Sequence, residues 1–310
     1  MNVFMKILVA TGKAFAPSAK EKILEITGKE GHELVLLENY TDDDMLKSAI
    51  IDADALIVRS DNVTSLLIEA APKLKVIVRA GAGYDNIDLQ ACSSKGIVVM
   101  NTPGQNSNAV AELVFELMLY HARIGFGGKT GSELRGKTLG IHAFGNVGKY
   151  VAEISKGFGM VTYAYDPFVD DEMIFASGIK VCRNAEELYL KCRYISLHLP
   201  ADNTTLKMIG YDLLSRMPTN AVLINCARKE IIHEEDLLRI FHDRPDFSYL
   251  SDVAPDSLPE IEDKYTGRFL FTAKKMGAQT KEANINAAIA AARQIVDFLK
   301  TGNQKYRVNN

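Results

Sequence analysis

Residues 139–167 constrain the fold more than any other part of the chain. An apolar run, Leu139-Gly140-Ile141-His142-Ala143, leads into a glycine turn, Phe144-Gly145-Asn146-Val147-Gly148, and Tyr163-Ala164-Tyr165-Asp166-Pro167 follows. That succession reads as strand, tight turn, helix, strand and acidic stop. Gly145 lets the backbone approach a pyrophosphate, and Gly148 lets the new helix lie close on the strand. The helix N-terminus offers unpaired amides to phosphate oxygens. Asp166 stands eighteen residues beyond Gly148, where a carboxylate binds a ribose diol and repels a 2′-phosphate, so the pattern selects NAD over NADP. The first position of the usual glycine fingerprint is here Ala143. An ordinary glycine helix start is the competing reading, and it leaves the flanking strand and the downstream acid as coincidences.

Around this unit, short β-branched runs alternate with longer segments of helical period. Residues 7–9, 34–37, 55–58, 76–78 and 97–100 read as strands, with 19–27 and 44–51 among the crossover helices. A second series starts at Leu139, continues through 161–165, 194–197, 222–225 and 249–252, and ends near 269–272. The fold class is therefore α/β, with two doubly wound, Rossmann-like parallel sheets. Between the series, residues 108–124 carry Val110, Leu113, Val114, Leu117 and Met118 at helical spacing ahead of the glycine-rich 125–131, a joining helix and loop. A last helix, 282–300, is rich in alanine and suited to close packing on the first sheet. Ligands of such sheets sit at the carboxyl ends of strands.

The 310 residues suffice for two domains. A net charge of −3 without a basic block gives no surface for nucleic acid. Cys92, Cys182, Cys192 and Cys226 form no Cys-x-x-Cys pair and read as reduced core thiols of a cytoplasmic protein. Residues 1–10 are too short and wrongly flanked for a signal peptide. No apolar run is long enough for a membrane span. His121, His142, His198, His233 and His242 lack the spacing of metal ligands, so no metal is expected.

Three more clusters fall at expected strand ends. In Arg79-Ala80-Gly81-Ala82-Gly83, an arginine and two spaced glycines can form a nest that binds a carboxylate; a turn with a surface arginine is the alternative. In Asn225-Cys226-Ala227-Arg228, a guanidinium can fork onto a 2-oxo carboxylate and polarise the adjacent carbonyl. Thr272-Ala273-Lys274-Lys275-Met276-Gly277 offers a lysine pair, which read alone is equally a solvated pair.

Taken in order, segments 79–88, 106–112, 140–148, 225–228 and 277–280 resemble the D-isomer-specific 2-hydroxyacid dehydrogenases over nearly the whole chain, most of all the members that act on phosphoglycerate. The resemblance implies a substrate-binding domain from both chain ends, 1–105 and 283–310, and an NAD-binding domain at 106–282, joined by two crossing segments. It implies hydride exchange between substrate C2 and NAD. By position, Arg228 is the catalytic arginine, and the amides of Ala80, Gly81 and Ala82 hold the far side of the carboxylate. Phe144, Gly145, Asn146, Val147 and Gly148 cradle the pyrophosphate, Asp166 with Pro167 meets the adenosine ribose, and His198 lines the adenosine side. Asp252 holds the nicotinamide carboxamide, and Asn106, Cys226, Ala227, Gly277 and Ala278 complete the cofactor set. Arg59 and Arg79 occupy the positions that bind a substrate phosphate, helped by Ser60 and Asn62. This pair selects 3-phosphoglycerate and 3-phosphohydroxypyruvate over glyoxylate, lactate or hydroxypyruvate, and so the first step of serine biosynthesis.

The family has Pro-His-x-Gly where this chain has Lys274-Lys275-Met276-Gly277, and the glutamate expected five residues after Asp252 is Ser257. A lysine can serve as general base once desolvation and neighbouring positive charge favour its neutral form. Counting back from Gly277 favours Lys275 and counting from the preceding strand favours Lys274, with Asp256 as a weak orienting carboxylate. The resemblance also implies a homodimer through the 108–124 helix. It further implies a short form without C-terminal serine-sensing modules. A glyoxylate or hydroxypyruvate reductase and a catalytically idle NAD-sensing protein are the alternatives.

Overall fold

The computed structural model describes residues 4–310, so Met1 to Val3 of the opening segment lie outside the described residues. The chain divides into two units, one running to Asn106 and resuming over Thr280–Asn310, the other Ser107–Gln279. The return crossing falls at Thr280 because its side chain accepts from the Ala283 amide at 3.1 Å and caps the helix Lys281–Thr301. The helix therefore begins inside the first unit.

In the first unit, β1 (Lys6–Thr11), β2 (Glu33–Glu38), β3 (Ala55–Val58), β4 (Val76–Arg79) and β5 (Val98–Asn101) form one parallel sheet in the order β2-β1-β3-β4-β5. Residue alternation splits its apolar side chains into two layers, as a parallel sheet covered on both faces requires. Ile7, Val9, Ile57 and Val78 face one layer, where Ala287, Ala288, Ala291 and Ala292 bring the long helix close. Leu8, Leu56, Val58 and Ile77 face the other. The edge of β5 is covered by the chain end: Val308 donates to the Val99 carbonyl at 2.8 Å, and Asn309 Oδ1 accepts from the Val99 amide at 2.9 Å.

The second unit contains β6 (Thr138–His142), β7 (Val161–Tyr165), β8 (Lys180–Val181), β9 (Tyr194–Leu197), β10 (Val222–Asn225), β11 (Ser248–Ser251) and β12 (Phe269–Phe271), ordered β12-β11-β10-β9-β6-β7-β8. All pairs are parallel. His142 is level with Tyr165 and Leu197, Asn225 with Leu197 and Ser251, and Ser251 with Phe271. The carboxyl ends of six strands thus finish along one line, and the chain reverses direction across the sheet between β6 and β9. The strand β8 has no sequence signature, being two residues long at the edge.

The joining helix is Ser107–Ala122, starting one residue before and ending two residues before the 108–124 that the periodicity suggests. The Ser132 amide takes the Ala122 carbonyl at 2.8 Å, and a single turn follows with Ile124, Gly125 and Phe126 all at positive φ. All four cysteines are buried and unbridged. Among the described residues no helix is long and apolar enough to cross a membrane, and no cluster of three or more His, Cys, Asp or Glu could hold a metal ion.

Candidate active site

The glycine turn leaves the end of β6 at Ala143, which is held at φ 78° where a glycine is the usual solution. Its amide donates to the Tyr165 carbonyl at 2.9 Å. Asp166, at the end of β7, ties the turn down: Oδ2 accepts from the Phe144 amide at 2.7 Å and Oδ1 from the Phe168 amide at 2.8 Å. The helix Asn146–Gly157 starts from Gly145 without a side-chain cap. A Cβ on Gly145 would meet nothing within 4 Å, while one on Gly148 would lie 2.5 Å from the Ala143 carbonyl oxygen. The turn therefore combines open space and uncapped amides on one side with backbone contact on the other, the arrangement that receives a diphosphate. His142 is buried against Tyr189, with 3.2 Å from Nδ1 to the hydroxyl, and burial pushes its pKa down to about 4. His198 Nε2 lies 2.9 Å from Ser196 Oγ, and burial pushes its pKa down to about 3, with the neighbouring His142 adding to the effect. Both rings are neutral near pH 7.

Beginning two strands along from β6, the carboxyl ends of β10, β11 and β12 meet. Asn225 is buried; its Oδ1 accepts from the Ala227 amide at 3.0 Å, and its Nδ2 donates to the Arg228 carbonyl at 2.9 Å and to the Tyr249 hydroxyl at 3.2 Å. This amide folds Cys226, Ala227 and Arg228 into a tight turn that projects the Ala227 carbonyl. Arg228 Nη1 donates to that carbonyl at 3.1 Å and Lys275 Nζ donates to it at 3.2 Å. The two cations are thereby brought to one oxygen. The Cys226 thiol between these strands is pushed up by burial, and next by the Asp252 charge, so it stays protonated.

Asp252 is fully buried and anchors the lysine loop, accepting from the Met276 amide at 2.6 Å, the Gly277 amide at 2.8 Å and the Thr272 hydroxyl at 3.0 Å. Gly277 is pinned there: a Cβ would stand 3.0 Å from Asp252 Oδ2 and 3.2 Å from Val110 Cγ2. Lys274 and Lys275 are both exposed, so the desolvation expected to favour a neutral lysine is absent here; the loop uses the Lys274 carbonyl, to which Thr272 Oγ1 donates at 2.9 Å. Ala278 follows half-buried. Asp256 does not serve the expected orienting role. Its side chain is 80% exposed and paired with Lys229 at 2.5 Å, while the Glu234 carboxylate takes the Asp256 and Ser257 amides, both at 2.8 Å. The ion pair with Lys229 holds the carboxylate on the solvent side, away from the lysine loop.

In the first unit, the ends of β3 and β4 bring Arg59 and Arg79 together, with Arg79 Nε donating to the Arg59 carbonyl at 2.8 Å. Arg59 is partly buried, which lowers its pKa, while Asp61 opposes the shift. Ser60 and Asn62 are exposed on the same loop. Asp61 braces it, accepting from the Gly12 amide at 2.6 Å and the Tyr40 hydroxyl at 2.7 Å. The carboxylate nest is only partly available. The Ala80 amide donates to the Val58 carbonyl and the Gly81 amide to the Arg79 carbonyl, both at 2.8 Å, so two of the three expected amides are turned inward. A Cβ on Gly81 would lie 1.6 Å from Arg79 Nη1, so glycine there leaves room for the guanidinium in this position. Asn106 is the last residue of this unit.

Residues 9–309 match the model of the D-isomer specific 2-hydroxyacid dehydrogenase catalytic domain. The chain belongs to this family. D-3-phosphoglycerate dehydrogenase of Methanocaldococcus jannaschii is 36% identical over 294 residues, covering 90% of this chain and 55% of that protein. The chain thus spans about half the length of the phosphoglycerate dehydrogenases it matches among curated relatives. Hydroxypyruvate reductase of Thermotoga maritima is 37% identical over 235 residues, covering 71% of this chain and 75% of that protein. Among solved structures, the NAD+-bound 3-phosphoglycerate dehydrogenase of Entamoeba histolytica is 48% identical with a TM-score of 0.88, and 99% of each chain is covered.

Sequence reasoning singled out Arg228 and the lysine pair but not Asn225 or Thr272, and it assigned Asp252 to the nicotinamide carboxamide, whereas its carboxylate accepts from the Met276 and Gly277 amides and the Thr272 hydroxyl. One signal was available for Asn225: a lone amide ending the apolar strand Val222-Leu223-Ile224 at a carboxyl edge, where no solvent partner is needed to explain it.

Proposed function

We propose that this chain oxidises D-3-phosphoglycerate to 3-phosphohydroxypyruvate with NAD, the first step of serine biosynthesis, using Lys275 as general base. The observation that carries the reading is the meeting of Lys275 Nζ and Arg228 Nη1 on the Ala227 carbonyl. An amine and a guanidinium that share one acceptor can together address a hydroxyl and the carboxylate beside it. Relatives named for this activity, one of them 48% identical end to end, support the substrate.

The glycine turn fits the dinucleotide: the space at Gly145 admits a diphosphate, the amides of the following helix are uncapped, and Asp166 ends the neighbouring strand. When bound, NAD supplies the hydride acceptor. Arg228 holds the substrate carboxylate and, as C2 becomes a carbonyl, stabilises the growing charge on its oxygen. Lys275, in its neutral form, removes the hydroxyl proton as the hydride leaves and returns it in reverse. Arg59 and Arg79, with Ser60 and Asn62, hold the 3-phosphate. Asp252 keeps the lysine loop in place through the Met276 and Gly277 amides. The helix Ser107–Ala122 is the proposed homodimer contact, and the reduced cysteines suit a cytoplasmic enzyme.

Reduction of phosphohydroxypyruvate with NADH against NADPH tests substrate and cofactor together. Lys275→Ala is expected to lower kcat by about a hundredfold or more, Lys274→Ala to leave it within a factor of about three, and Lys275→His to restore part of it with an acid-shifted pH profile. Full turnover in both alanine variants would end the lysine-base reading. The likeness to hydroxypyruvate reductase supports a second reading, reduction of an unphosphorylated 2-oxo acid. Activity unaffected by Arg59→Ala or Arg79→Ala would favour it.

A further inference from the structure

The first unit holds a cavity of about 260 Å³, room for about nine waters at roughly 30 Å³ each. One wall is a face of the helix Lys281–Thr301, where Asn286, Ile289 and Arg293 follow one another at helical spacing with Gln294 beside them. Gln105 and Tyr306 stand across from that face. Both are held at the carboxyl end of β5: the Thr102 amide, on the segment leading to Gln105, donates to the Gly81 carbonyl at 2.9 Å, and the Tyr306 carbonyl accepts from the Asn101 amide at 3.3 Å. Every lining residue belongs to the first unit.

The cavity is polar and carries one charge. No lining residue is an acid, and among the described residues the side chains of Gln105, Asn286, Arg293, Gln294 and Tyr306 make no hydrogen bond or ion pair. The acid placed to pair with Arg293 one turn along the helix is Asp297, but Asn303 Nδ2 donates to its Oδ2 at 2.6 Å and Thr301 Oγ1 to its Oδ1 at 3.1 Å. The guanidinium is thereby left to the cavity. Gln294 Oε1 is buried without a partner, which is unfavourable for an amide oxygen and leaves an acceptor in want of a donor. We propose that this cavity binds a small hydroxylated carboxylic acid. Arg293 takes the carboxylate with two parallel hydrogen bonds, and the ligand hydroxyl donates to the Gln294 oxygen. The amides of Gln105 and Asn286 and the Tyr306 hydroxyl meet the remaining polar atoms, and Ile289, half-buried, covers the carbon chain. The site shares no residue with the proposed catalytic machinery and does not depend on the reading of it.

The test titrates L-malate into the full chain at constant ionic strength without NAD, following the Ile289 δ1 methyl by NMR and assigning it through Ile289→Val. Malate is expected to shift that signal saturably, and succinate, the same skeleton without the hydroxyl, to bind more weakly. Arg293→Gln, an exposed position where the stem is largely kept, is expected to weaken malate about tenfold or more while turnover is unchanged. Gln294→Met is expected to remove the preference for malate over succinate and to leave succinate binding as it was. Because the proposed catalytic site also takes a 2-hydroxy acid, the titration is repeated in Arg228→Ala, where the Ile289 shift should persist. An Ile289 signal indifferent to malate, binding undiminished in Arg293→Gln, succinate as tight as malate, or a shift lost in Arg228→Ala overturns the proposal.

Discussion

Replacing Ala143 with glycine should stabilise the second unit. Ala143 holds φ 78°, a region where a Cβ meets the neighbouring carbonyl oxygen and where glycine rests without cost. Alanine in place of glycine at positive φ destabilises by about 1 kcal/mol or more even after the greater flexibility of unfolded glycine is counted. Against this stands the methyl group, which is half-buried and packs beside the cluster containing Leu197 and Leu223. Losing half of a fully buried methylene costs about 0.4 kcal/mol. The strain is the larger effect, leaving a net gain of about 0.5–1 kcal/mol and a rise in Tm of about 1–4 °C for a unit of this size. Thermal unfolding followed by circular dichroism, with and without NADH, checks it. The companion Gly148→Ala should move the other way, because its Cβ would lie 2.5 Å from the Ala143 carbonyl oxygen, a backbone atom with nowhere to retreat. A Tm for Ala143→Gly at or below the wild-type value would refute the claim that this turn is strained.

Three further outcomes are expected. Asn225→Ala leaves the Ala227 amide, the Arg228 carbonyl and the Tyr249 hydroxyl without their partner, costing about 1–3 kcal/mol of stability in urea unfolding and lowering kcat about tenfold or more as the Arg228 turn loosens. Gly81→Ala forces Arg79 aside, so KM for the phosphorylated substrate should rise with little change in KM for NADH, measured in steady state. His142 titrates at about 4 when folded against about 6.5 when unfolded, so the unfolded chain binds the extra proton. Its contribution is therefore complete above about pH 6.5 and is lost as pH falls toward 4, roughly 2 kcal/mol having gone by pH 5. Urea midpoints at pH 7 and pH 5 should differ less in His142→Gln than in the wild type.

Periodicity and punctuation made much of this molecule legible in its sequence. Runs such as Ala55-Leu56-Ile57-Val58 are apolar at every position because a parallel sheet is covered on both faces, and that property is local to the run. The spacing from Gly145 to Gly148 and on to Asp166 likewise follows from the lengths of one helix and one strand, so it can be read without knowing where the rest of the chain goes. Arg228 and the lysine pair were visible for the same reason, being charged residues at the ends of strands. Folding decided what those strand ends meet. Register brought the carboxyl ends of β10, β11 and β12 level, which let Lys275 reach the carbonyl beside Arg228 from forty-eight residues away. The same packing drew Asp256 to Lys229, turned the Ala80 and Gly81 amides inward, and set Asp252 to hold the lysine loop. Each of these is a competition among several hydrogen-bonding partners of similar strength. Which partner wins depends on distances of a few tenths of an ångström between segments far apart in sequence, and no pattern along the chain encodes them.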